Sequence, residues 1–145
     1  MTRIDFAFGA PDRLRAACQT AQKRYLAGQR LVVYCTDVNR LSAFDRLLWA
    51  FDDSTFVPHV SARDPLAAET PILLTAADPG QALTLAPQAW LLNLDDACPP
   101  NYDGYLRVLE VVSAQEADKA AARVRWRDYV AAGHSPHSHD LSRSA

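Results

Sequence analysis

Residues 30–35 read RLVVYC, and beyond Arg30 the run is apolar at every position. A stretch of this kind without alternation predicts a strand covered on both faces, as in a parallel sheet with helices on either side. Upstream, PDRLRAACQTAQKRYLAG (11–28) opens with Pro and Asp and closes on Gly28, which suits the two ends of a helix. Its Leu14, Ala17, Cys18, Ala21 and Tyr25 recur at helical spacing and make a core stripe. Before it, RIDFAF (3–8) alternates like a strand. Downstream, Asp37 is placed to cap a second helix, VNRLSAFDRLLWAF (38–51), which ends before the acidic turn Asp52-Asp53-Ser54. PILLT (71–75), AWLLNL (89–94) and YLRVLEVV (105–112) read as further strands. A last helix starts near Ala114 and runs to Ala132, where Gly133 stops it.

Strand, helix, strand, helix, then strands on short connections is the α/β pattern. It predicts a single three-layer domain over residues 1–133, a largely parallel sheet with helices on both faces. Residues 134–145, HSPHSHDLSRSA, are polar with nothing to bury and are expected to form a disordered tail.

The chain has 145 residues, one domain's worth, and 49% are hydrophobic, ample for one core. A formal net charge of -2 argues against a surface built for nucleic acid, so no direct nucleic-acid binding is expected. No apolar run is long enough to cross a bilayer. The opening MTRIDFAFGAPDR meets a Pro and charges too early for a signal peptide. Three cysteines, Cys18, Cys35 and Cys98, lack C-x-x-C spacing and read as reduced thiols, so a cytoplasmic protein is expected. Cys35 as a nucleophile is the sharper reading; a small buried hydrophobe is the ordinary one.

Nucleotide chemistry needs loops that are missing here. No G-x-G-x-x-G follows the first strand, no G-x-x-x-x-G-K-[ST] occurs, and five glycines in all leave little bare backbone for a phosphate. There is no G-x-S-x-G elbow. No cofactor and no metal are expected. His134, His137 and His139 could hold a metal loosely, but a flexible polar end without supporting groups is the plainer reading. His59, after Val57-Pro58 at the start of an extended segment, suits a structural or interface role better than catalysis.

Two helices carry aromatics off their apolar faces. In the second, Leu41, Phe44, Leu48 and Phe51 form the core stripe with Leu47 at its margin, and Trp49 lies roughly 130° away at about 100° per residue. Phe56, Val57 and Pro58 follow at once, on a connection that should run over the surface. Either Trp49 folds onto Phe56 as a satellite cluster, or the two form an exposed patch rimmed by Asp52, Asp53 and Arg46. In the last helix Ala117, Ala121, Val124 and Ala131 make a narrow face of small residues suited to a sheet. Lys119, Arg123, Trp126 and Arg127 point largely the other way. They form either a solvated cation–π cluster or a pocket for a ligand both apolar and anionic.

These residues also carry a resemblance. Leu47-Leu48-Trp49-Ala50-Phe51 followed by Phe56-Val57-Pro58-His59, and Arg123-Val-Arg-Trp126-Arg127-Asp-Tyr129 before Ala-Ala-Gly133, resemble the chi subunit of bacterial DNA polymerase III. The likeness spans nearly the whole chain, while residues 61–104 are not distinctive. It implies an α/β fold without catalytic activity, in the bacterial replisome. It further implies a protein that joins the psi subunit of the clamp loader and the acidic C-terminal tail of single-stranded-DNA-binding protein (SSB). The psi contact falls on Trp49, Phe56, Val57 and Pro58. The tail, which ends in a Phe carboxylate preceded by aspartates, falls on Lys119, Arg123 and Trp126, with Arg127 nearby to draw the aspartates. Trp126 stands where Tyr is more usual in the family. A helicase-like repair protein is an alternative partner for the Trp49 patch. The rival from another class is a small α/β nucleotide-binding domain or enzyme with a degenerate motif.

Overall fold

The structure, a computed structural model, describes residues 2–52 and 54–141; Asp53 and the end of the expected tail (142–145) lie outside the described residues. Among the described residues seven strands make one sheet: β1 (Arg3–Ala10), β2 (Leu31–Tyr34), β3 (His59–Ser61), β4 (Ile72–Thr75), β5 (Trp90–Asn93), β6 (Arg107–Ser113) and β7 (His137–Asp140). Their spatial order is β3-β4-β2-β5-β6-β1-β7, and every neighbouring pair is parallel. The helices are α1 (Arg13–Leu26), α2 (Val38–Trp49), the single-turn α3 (Pro79–Ala82) and α4 (Glu116–Ala131).

The strand at 31–34 lies between β4 and β5 with all four residues buried, as its unbroken apolar run requires. Its side chains divide two cores. Leu31 and Val33 meet Ala17, Cys18 and Ala21 of α1 and Phe44 and Leu48 of α2 on one face. Val32 and Tyr34 meet Ala82 of α3 and Ala122 and Tyr129 of α4 on the other. This is the three-layer arrangement, with a sheet that is wholly parallel.

The helix ends follow their local chemistry. The Asp12 and Asp37 carboxylates accept from backbone N–H groups two and three residues on and cap α1 and α2. Gly28 and Gly133 have φ of 76° and 97°, a region that favours glycine. In α1, Gly28 N–H donates to Tyr25 C=O and Gln29 N–H to Arg24 C=O; in α4, Gly133 and His134 repeat the pattern onto Val130 and Tyr129. Both helices therefore close with the same reversal.

Three elements depart from the sequence reading. β3 is only three residues long and α3 only four, both too short to register a period. The third departure is β7, formed where a disordered tail is expected. His137–Asp140 pair with Asp5–Phe8 of β1, and His139 Nε2 lies 3.0 Å from Asp5 Oδ1. Backbone pairing and polar contacts such as this one hold the strand, which buries no residue fully, so no hydrophobic alternation marks it.

Candidate peptide-binding groove on α4

Buried polar groups set the rotation of α4. Arg125, only 2% exposed, donates from Nε to Glu110 Oε1 at 3.0 Å and from Nη1 to the Asp96 carbonyl at 3.1 Å. The other Glu110 oxygen accepts from Tyr129 Oη at 2.7 Å and Asn93 Nδ2 at 2.9 Å. Burial, together with the Glu110 carboxylate, pushes the Tyr129 phenol far above its usual range, so it stays an O–H donor. The face of α4 that meets the sheet is therefore Ala122, Arg125 and Tyr129, not Ala117, Ala121, Val124 and Ala131; Val124 is 48% exposed. A stripe that counts Arg as outward misses this face, because Glu110, which makes Arg125 tolerable inside, lies on a different strand.

This rotation puts Trp126 at the edge of the buried face rather than opposite it. Its ring packs on Phe6 of β1 at 5.1 Å between centroids. Lys119, Arg123, Trp126 and Arg127 all line one groove of about 430 Å³, whose other walls are Phe6, Phe8, Val112, Ala122 and Ser138. That volume suits a small ligand or a few peptide side chains. Lys119 Nζ sits 2.9 Å from Glu116 Oε1, and this hydrogen bond and charge hold the Glu116 carboxyl below its ordinary range. Among the described residues Arg123 and Arg127 form no ion pair. An apolar cleft edged by guanidinium groups suits a ligand with a ring and a carboxylate. The Phe6 and Phe8 floor is visible in retrospect as two aromatics two residues apart on a strand, hence on one face. Ser138 carried no signal.

The second candidate surface divides. Trp49 and Phe56 are 56% and 57% exposed, with ring centroids 5.0 Å apart. Both readings thus hold in part: the rings stack and yet remain largely in solvent. Val57 is buried in the α1–α2 core instead of joining them, and Pro58 is half-buried. Beneath Trp49, at 4.8 Å, lies buried His59, its Nε2 2.9 Å from Asp45 Oδ1 and its Nδ1 2.7 Å from the Val57 carbonyl. Arg46 and Asp52 flank the patch, bonded to Ser42 and to Gln22.

The thiols are placed as packing residues. Cys18 and Cys35 are buried, and burial drives Cys18 up to about 12 and raises Cys35 as well; burial likewise takes Cys98 to about 11. Such thiols carry little thiolate at neutral pH, which disfavours the nucleophile reading of Cys35. The tail histidines do not converge: His139 meets Asp5, while His134 packs on Tyr102 and Tyr129. Among the described residues no group of three or more His, Cys, Asp or Glu is placed to hold a metal, and no helix is long and apolar enough to cross a membrane.

Fold and groove together define a class: a small, wholly parallel α/β protein whose last helix edges an apolar groove with cations. Residues 1–137 match the family model described as DNA polymerase III chi subunit, HolC. The chain is 32% identical over 148 residues, 99% of each protein, to DNA polymerase III subunit chi of Pseudomonas aeruginosa. It is 27% identical over 116 residues to the same-named subunit of Escherichia coli, covering 80% of this chain and 77% of that one. With the Haemophilus influenzae subunit the identity is 24% over 111 residues, 77% and 75% of the two chains. The chain belongs to the DNA polymerase III chi subunit family, as its Trp49 and Trp126 stretches suggest.

Proposed function

We propose that this chain is a non-catalytic accessory subunit of the bacterial replicative DNA polymerase III, working in the cytoplasm during DNA replication. In this reading it links the clamp-loader complex, through psi at Trp49 and Phe56, to the C-terminal tail of SSB in the α4 groove. One observation carries the proposal: the groove gathers Lys119, Arg123, Trp126 and Arg127 around an aromatic floor, with Arg123 and Arg127 in no ion pair among the described residues. A terminal Phe presents a ring for that floor and a carboxylate for the guanidinium fork.

The rival, a nucleotide-binding domain, has little support at the carboxyl ends of the strands, where open α/β sheets bind such ligands. The arginines there are occupied. Arg13 donates to the Val111 and Asp95 carbonyls, Arg40 to the Leu94 carbonyl and Asp96, and Arg125 to Glu110 and the Asp96 carbonyl.

Calorimetric titration with an SSB tail peptide tests the reading, using the free acid and its C-terminal amide. Arg123→Ala should lower affinity roughly ten- to a hundredfold, the loss of one charge-assisted contact. Lys119→Ala should cost less, because that amine already shares its charge with Glu116. Equal affinity for acid and amide, or wild-type binding by Arg123→Ala, would place the site elsewhere.

A further inference from the structure

The family match ends at residue 137, just where β7 begins, and yet β7 supplies one wall of the α4 groove. Ser138 stands opposite Phe6 in the β1 register and lines the groove with it. Phe8, two residues along the same strand face, lines it too while remaining 40% exposed. The wall itself is a sheet edge. β7 is the outermost strand, pairs only with β1, and has no fully buried residue. Besides the ladder, its anchors include the His139–Asp5 contact, and Leu141 just beyond it is partly buried against the α1–α2 core. Short edge ladders of this sort open far more readily than a core strand.

We propose that β7 is a movable wall of the binding site, with Ser138 and Phe8 as further determinants of the bound ring, so that peptide binding and β7 docking favour one another. This rests on the reading that the groove takes a peptide ending in Phe. A ring seated in the groove against Trp126 and Phe8 meets Ser138 and the β7 backbone on its open side when the strand is docked. It meets water there when the strand is away. The ligand therefore has different contacts with the two states, the condition for shifting a population. Linkage is reciprocal: the factor by which docking tightens the peptide is the factor by which peptide holds the strand. Nothing in this coupling requires α4 to move, since Arg125 and Tyr129 pin it to β6 independently of β7.

Amide hydrogen exchange on the full chain, with and without saturating SSB tail peptide, measures the second factor. Residues 138–140 should exchange about fivefold or more slowly with peptide bound. Ser138→Pro, which deprives the strand of a backbone donor, should weaken the same peptide by a matching factor. His139→Ala leaves every groove residue in place; its β7 should exchange faster alone and regain protection when peptide is added. Arg123-dependent binding with unchanged β7 exchange overturns the coupling while leaving the peptide reading intact. No binding by the wild-type protein overturns the peptide reading and the coupling with it. If Ser138→Pro does not fold, the exchange of the wild-type chain decides alone.

Discussion

Removing the Arg125 guanidinium should be among the most damaging single changes to this protein. Glu110 has a side chain with no solvent exposure, and among the described residues Arg125 is its only cationic contact within ion-pair distance. In Arg125→Ala the carboxylate keeps the Tyr129 hydroxyl and the Asn93 amide but loses the positive charge 3.0 Å away. Orphaning one member of a buried pair typically costs about 3–5 kcal/mol. Against a total stability of about 5–15 kcal/mol for a domain this size, the variant should still fold but melt about 6–20 °C lower. Urea and thermal melts followed by circular dichroism measure the loss. The double variant Glu110→Leu, Arg125→Met removes both charges and should recover most of it, since apolar replacements of buried pairs are often neutral or better. A single-variant loss below about 1 kcal/mol, or a double variant no better than Arg125→Ala, would refute the reasoning.

Asp5 is 4% exposed, and although burial works to raise its pKa, hydrogen bonds from Arg3, His139 and Arg107 outweigh this and bring it to about 2. A depressed carboxyl stabilises the fold above its unfolded pKa and loses that contribution as pH falls. Stability of about 2 kcal/mol should therefore drain away between about pH 4 and pH 2, and Asp5→Asn should flatten that part of the pH–stability curve. Phe56→Ala should change the urea midpoint little, because the ring is more than half exposed, yet weaken a psi partner in pull-down titration by about 2 kcal/mol or more; a collapsed fold with intact partner affinity would make the ring structural. Gly28→Ala meets no atom within 4 Å but forces a φ of 76° on a residue with a Cβ, so a loss of about 1 kcal/mol is expected in a denaturation series, and an unchanged midpoint would contradict it.

Local grammar made most of the fold readable. The run at 31–35 demanded cover on both faces, Asp12 and Asp37 marked helix starts, and Gly28 and Gly133 marked helix ends. These signals act within a few residues, so one chain displays them. What stayed hidden depends on groups far apart in sequence. Arg125 reads as a surface cation until Glu110 is known to lie beneath it, and the rotation of α4 follows from that pair together with the Tyr129–Glu110 bond. Val57 looked like part of an exposed Phe-Val-Pro edge, but it turns into the core while Phe56 turns out, a choice made by the space between α1 and α2. The groove was legible from its α4 side, where the helix period groups Lys119, Arg123, Trp126 and Arg127. Its β7 side was not, because strand register brings Ser138 beside Phe6 only in three dimensions.

The strand order has a mechanical consequence. β3 and β7 are the two ends of the sheet, and the candidate surfaces sit near opposite ends: Trp49 over His59 of β3, the groove beside Ser138 of β7. Six strand spacings separate those ends, about 29 Å. A pull between occupants of the two surfaces would run across the strands, loading the backbone ladders sideways in series, and a series linkage yields at its weakest joint. The joints at the rims are short, three residues for β3 and four for β7. The middle is reinforced by the chain itself, because the connection through α1 leaves β1, passes over β6 and β5 and returns at β2. Under tension the rim strands would peel first, while the central strands stay stitched by covalent bonds that no ladder rupture can release.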